Sequence, residues 1–180
     1  MKGRLARAAG RFYKLNHRAH PRPPLPRQRS MTSPALTLRP ATEADLPFLL
    51  ALRKATMTEH LRRAGAPDDD GHHLERIRHR FEDAHIVWAD DRPAGLFKAS
   101  RDAAAWRVVQ IQIDPAFQGQ GLGRRLLAEL LAQADAQGVA VTLSVLHGNP
   151  ARRLYESLGF TPIEENRLEI EMRYPSRRAG

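Results

Sequence analysis

The chain has 180 residues, 42% of them hydrophobic, enough for one ordinary domain with its own core. With no cysteine it excludes disulfides, thiolate metal sites and a cysteine nucleophile. The net charge of +9 points to nucleic acid only until it is located: residues 1–30 hold nine basic side chains (Lys2, Arg4, Arg7, Arg11, Lys14, Arg18, Arg22, Arg27, Arg29) and no acid, leaving 20 basic against 20 acidic residues in 31–180.

That basic segment also contains HPRPPLPRQR, which cannot continue a helix or enter a central strand, and it reads as a disordered extension. Three readings of it stand open: upstream sequence before a start at Met31, an Arg-rich targeting segment, or a tether to nucleic acid or another anionic surface. The folded domain is expected over 31–180. No apolar run approaches the ~20 residues that span a bilayer, and the tail lacks the apolar region of a secretory signal, so no membrane association and a cytoplasmic location are expected.

Ordered pattern begins at Leu36 and Leu38, which alternate with polar residues as in a short strand. Thr42 followed by Asp45 resembles a capping box for an amphipathic helix through Leu46, Leu49, Leu50 and Arg53. After AGAPDDDG, the spacing of Leu74, Ile77 and Phe81 predicts a second helix from about His73 to Phe81. HIVWA, AGLFKAS and WRVVQIQI, separated by DDRP and RDAAA, predict three antiparallel strands. A helix is expected from Leu122 to Gly138, with Leu126, Leu127, Leu130, Leu131 and Ala134 on one face. VAVTLSVL reads as a strand buried on both faces. In HGNPARRLYESLGF, Asn149 can cap a helix with Pro150 at its first position and Gly159 as its stop. Two strands, around 160–163 and 168–174, close the domain.

Between the third of the clustered strands and the long helix lies QGQGLGRRLL, with Gly119, Gly121 and Gly123 inside five positions. A bare strand-to-helix loop is an anion site, because the first helical N–H groups lack partners and the macrodipole is positive there. Phosphate or pyrophosphate is the expected ligand. The dinucleotide spacing G-x-G-x-x-G fails, since Arg124 or Leu126 falls at the third site, and no G-K-[ST] follows as in a P-loop.

Gln118-Gly119-Gln120-Gly121-Leu122-Gly123 resembles the Q/R-x-x-G-x-G/A pyrophosphate signature of the GNAT superfamily of acyl-CoA-dependent N-acetyltransferases, and NPARRLYESLGF resembles its second signature. The resemblance covers roughly residues 35–174. It implies an α/β fold of mixed, mostly antiparallel strands flanked by helices, and acetyl-CoA as cosubstrate with no metal. It implies that the loop holds the pyrophosphate through Gln118, Gly119, Gln120, Gly121, Leu122, Gly123 and Arg124, with Arg125 adding charge. The pantetheine arm would lie along Ile111, Gln112 and Ile113, where the strand splays from 141–146, with Asn149, Arg152 and Tyr155 completing the cofactor site. Tyr155 is implied as the acid that protonates the departing thiolate.

The general base is the gap in the resemblance. Many relatives carry a glutamate early on the strand before the loop, whereas this one offers Arg107, Gln110 and Gln112. Gln110 and Gln112 could orient water or substrate or merely satisfy buried backbone groups, and His60, His72, His73 and Glu75 are substitute bases that each read first as solvated surface. Asp68 to Asp70 could attract a cationic amine. The expected activity is direct acetyl transfer to a primary amine of a small molecule or peptide, and a homodimer is allowed. Two rivals remain: a non-catalytic acyl-CoA-binding regulatory module, and a nucleic-acid-associated protein working through residues 1–30.

Overall fold

The computed structural model describes residues 34–177; the basic extension of residues 1–30 lies outside them. The chain runs β1 (Leu36–Pro40), α1 (Leu46–Ala64), α2 (Asp70–Arg78), β2 (Ala84–Ala89), β3 (Arg92–Arg101), β4 (Ala105–Ile113), α3 (Leu122–Gln137), β5 (Ala140–Leu146), α4 (Ala151–Leu158), β6 (Thr161–Glu165) and β7 (Glu169–Tyr174). The seven strands form one sheet in the order β1-β2-β3-β4-β5-β7-β6. All neighbours are antiparallel except β4 and β5. This is the expected mixed, mostly antiparallel sheet flanked by helices.

Each sheet face has its own core. On one, Leu126, Leu127, Leu130 and Leu131 of α3 pack with Trp106, Val108, Val141, Leu143 and Phe160. On the other, Leu49 and Leu52 of α1 and Ile77 of α2 pack with Ala84, Ile86 and Leu96. The apolar stripes legible in the sequence therefore dock on opposite sides of one sheet.

Asp45 takes the backbone N–H and hydroxyl of Thr42 at 2.8 and 2.9 Å, as the capping pattern predicted, and a short 3-10 turn over 43–45 precedes α1. The second helix is displaced from its expected span. It starts at Asp70 because the Asp69 carboxylate accepts the His72 N–H, and it stops at Arg78, two residues before Arg80 adopts a left-handed φ of 52°. Buried Lys98 of β3 terminates it from outside, donating to the Ile77 and His79 carbonyls at 2.7 Å each. Phe81 lies in the following 3-10 turn yet still packs on the α1 core.

The β5 expectation is also corrected. Val141, Leu143 and Val145 are buried on one face, but Thr142 and Ser144 on the other are half-buried and accept hydrogen bonds from Arg107, which also pairs with Glu171 at 2.6 Å. The run is apolar overall, but its two small hydroxyl residues serve a polar network.

Two irregularities in β4 set which backbone and which side chains it exposes. Its pairing with β5 ends at Val108 opposite Leu143, so the strands diverge beyond that point and the β5-facing backbone of residues 109–113 has no strand partner. Its register with β3 slips so that Ala99 faces Val108 while Lys98 faces Gln110, leaving Val109 as a bulge. The bulge shifts the phase of the strand. Val108 points to the α3 core, whereas Gln110 and Gln112, opposite Lys98 and Leu96, point to the α1 and α2 side.

Candidate active site

The divergence of β4 and β5 opens a cleft of about 140 Å³ through the sheet, walled by Arg53, Met57, Arg76, Gln110, Gln112, Asn149, Tyr155 and Glu169 among others. Near the far end of β4 lies a recess at the glycine loop, formed by Ile113, Phe117, Gln118, Gly119, Gly121, Leu122, Gly123, Arg124 and Leu154.

The loop is built to leave backbone exposed. Gly119 and Gly121 hold φ of 74° and 76°, a region costly for other residues, and a Cβ at either would meet nothing within 4 Å. Gly121 caps α3 without a side-chain hydrogen bond, so the first N–H groups of that helix remain free for an anion. Gln118 and Gln120 are exposed, and their amides donate to the Ile113 and Ala116 carbonyls at 2.9 and 3.3 Å and brace the loop. Arg124 lines the recess and binds the Ser157 hydroxyl at 2.6 Å, tying α3 to α4. Arg125 is committed elsewhere, donating to the Pro34 carbonyl at 2.7 Å.

Tyr155 is buried on α4, its ring edge-on to Phe160 at 6.1 Å, and Phe160 in turn packs on Tyr174 at 5.8 Å. Tyr174 is anchored through its hydroxyl to Asp135 at 2.9 Å. This aromatic file fixes the Tyr155 ring, and burial alone pushes its hydroxyl pKa up to about 12. Asn149 lines the same cleft while its side-chain oxygen accepts the Ala151 N–H at 2.9 Å, the capping role expected of it. Arg152 turns to Glu156 at 2.7 Å, one helical turn along α4.

Gln110 donates to Gln112 at 3.3 Å, leaving the Gln110 oxygen and the Gln112 nitrogen buried without partners. One acceptor and one donor on residues lining the cleft are therefore buried and unsatisfied. The proposed bases on α2 do not reach it. His72 is exposed and pairs through Nδ1 with Asp69, and Glu75 is exposed. His73 is fully buried, 3.3 Å from the Thr58 hydroxyl, and burial with the nearby Arg53 charge holds its pKa down. It is a core histidine, where the sequence reads as surface. Asp68, Asp69 and Asp70 are taken by Arg62, His72 and Lys54.

Three cleft residues escaped the sequence reading: Arg53, Arg76 and Glu169. Arg76 donates to the Val109 carbonyl at 3.0 Å, occupying the bulge where the strands part. Glu169 brings from β7 the carboxylate that β4 lacks. A charged residue in the middle of an apolar helix face, as Arg53 is on α1, was the one local signal available.

Among the described residues, no three potential donor side chains converge as a metal site, and no helix is long and apolar enough to cross a membrane. The acetyltransferase (GNAT) domain family matches residues 67–174. A mycothiol acetyltransferase from Beutenbergia cavernae is 35% identical over 134 residues, covering 68% of this chain and 43% of that protein. Thus the chain spans less than half the length of that relative. The crystal structure of the ribosomal-protein-S18-alanine N-acetyltransferase from Escherichia coli superposes with a TM-score of 0.59 at 24% identity, over 81% of this chain and 97% of its own. That of PaiA N-acetyltransferase from Thermoplasma acidophilum, a complex with coenzyme A, gives 0.61 at 16% identity over 78% and 99%. These two likenesses are of fold. The chain belongs to the GNAT acetyltransferase family.

Proposed function

We propose that residues 31–180 form an N-acetyltransferase domain that moves an acetyl group from acetyl-CoA to a primary amine by direct transfer, with Tyr155 as the acid. The observation that carries this reading is the juxtaposition of Tyr155 with the parted strands, in a cleft that follows β4 toward the uncapped, glycine-lined start of α3. The residues present fit the cosubstrate: free helix N–H groups and Arg124 suit the pyrophosphate, and the unpaired β4 edge along Ile111, Gln112 and Ile113 suits the amides of its arm. Acetyl-CoA supplies the activated acetyl thioester.

The chain's own groups divide the proton work. A lysine-like amine is more than three pKa units from neutral at pH 7, a cost of about 4 to 5 kcal/mol. Glu169 attracts the ammonium form, which gives up one proton to solvent to expose the lone pair, and Glu169 then receives the second proton, which the new N–C bond makes acidic. The free Gln110 oxygen accepts an amine N–H and orients the lone pair. Tyr155, with its pKa near 12, stays protonated throughout the neutral range and delivers its hydroxyl hydrogen to the sulfur as the C–S bond breaks. Against a thiol of pKa ~8.5 in water, full proton transfer from Tyr155 is uphill by roughly 5 kcal/mol. Desolvation raises the proton affinity of a thiolate in the same buried cleft and narrows that gap.

Release of coenzyme A thiol across a panel of primary amines tests the reading, comparing the wild type with Tyr155→Phe. A fall in kcat of at least about 100-fold, with acetyl-CoA affinity within twofold, is expected for loss of a general acid. Equal turnover would remove Tyr155 from the chemistry. Acetyl-CoA binding with no turnover on any amine would favour the non-catalytic module.

A further inference from the structure

The cleft contains two guanidinium groups that no carboxylate among the described residues reaches at ion-pair distance, although the charge of Glu169 across the cleft acts on Arg76. Arg53 is 7% exposed, and its Nε has no hydrogen-bond partner. Arg76 reaches the same space from α2, and its bond to Val109 is to a neutral carbonyl. Neither forms an ion pair among the described residues, whereas Lys54, Arg62, Arg80 and Arg107 each have an acidic partner. Burial and the charge of Arg76 together pull the Arg53 pKa down to about 10. Buried unpaired charge is unfavourable, and two like charges lining one cleft are more so, unless an anion enters between them. Guanidinium forks suit a carboxylate, which can take two parallel N–H donors.

The surroundings specify more than an anion. Glu169 lines this cleft and also a wider recess beside it, which Arg76 shares with Arg80, Asp102 and Arg107. A negative group for an ammonium and two positive groups for a carboxylate thus face one space. The depth of Arg53 limits the ligand to a compact one.

We propose that the acceptor is a small amino-carboxylate, held with its carboxylate on Arg53 and Arg76 and its amino group toward Glu169 and Gln110. This rests on the acetyl-transfer reading, of which it names the substrate class. It runs against intrinsic reactivity, since the amine of an amino acid amide is less basic than that of the free acid and is more often neutral at pH 7.

The test titrates the full chain, saturated with coenzyme A, with N-acetyl amino acids from glycine to phenylalanine and with the matching N-acetyl amino acid amides. These probes share the acetamide product and differ only in the carboxylate, and binding is read without turnover. At least one acid is expected to bind tenfold or more tighter than its amide. Arg53→Gln should bring the pair within about twofold while coenzyme A affinity stays within twofold of wild type, which also reports that the variant folds. Arg53→Lys, keeping the charge without the fork, should retain part of the preference. Amides binding as tightly as acids, neither binding, or a preference that survives in both Arg53→Gln and Arg76→Gln would overturn the proposal. A wild type that fails to take up coenzyme A would instead overturn the acetyl-transfer reading itself.

Discussion

Gly121→Glu separates an anion-binding loop from a mere turn. Gly121 is already at a φ of 76°, and a Cβ there meets no atom within 4 Å, so the first side-chain carbon introduces no clash. Its conformational penalty, about 1 to 2 kcal/mol for a residue with a side chain in the left-handed region, falls on folding, because the loop holds this shape without ligand. The new carboxylate acts on binding. At about 5 Å from a phosphate and an effective dielectric of about 40, repulsion is about 1.7 kcal/mol per phosphate charge, or roughly 3 kcal/mol for two. That corresponds to a loss of acetyl-CoA affinity of at least about 100-fold, read by calorimetric titration, with part of the loss recovered as salt is raised. Gly121→Ala, with the same backbone strain and no charge, should lose about 1 kcal/mol of stability and keep its affinity within a few fold. If the Glu variant binds within threefold of wild type, or the two variants bind alike, the loop does not hold the pyrophosphate.

Buried groups and close contacts carry the other predictions. Because Tyr155 titrates near 12, kcat/KM should rise with pH as the amine deprotonates and show no decline until Arg53 loses its proton near pH 10; a decline between about pH 8 and 9 would count against Tyr155 as the acid. Lys98 has its pKa lowered to about 8, chiefly by burial and then by Arg76 and Arg53, so the folded state releases this proton before the unfolded chain does. Stability measured by urea unfolding should therefore increase from pH 8 to 10.5 relative to Lys98→Met, by at most about 3 kcal/mol, and be lost as pH falls through 8. At pH 7 the same variant leaves the Ile77 and His79 carbonyls without their donor, and a net loss of about 1 to 3 kcal/mol is expected in the same assay. Gly123→Ala should be tolerated in both melting and acetyl-CoA titration, since its Cβ would sit 3.7 Å from Leu154. Gly95→Ala should lose about 2 kcal/mol or more, because its Cβ would lie 2.3 Å from the Gln112 carbonyl and force β3 from β4.

Local pattern determined a large part of this protein. The leucine stripe of α3, the three clustered strands, the Thr42 and Asn149 caps and the glycine loop each involve residues within a few positions of one another, and each forms where the sequence places it. The loop and Tyr155 are legible for the same reason, being carried by contiguous motifs. Where contacts came from distant segments, the sequence alone was silent or pointed elsewhere. Lys98 of β3 ends α2, so the helix stops before Phe81; Pro34 engages Arg125; packing of α2 on the sheet turns His73 inward. The acceptor side depends most on such contacts. Arg53, Arg76 and Glu169 come from α1, α2 and β7, and only strand order, the Val109 bulge and the parting of β4 from β5 bring them to one cleft. A one-residue register slip inverts which face a side chain occupies, and no periodicity within a single strand encodes the register of its neighbour.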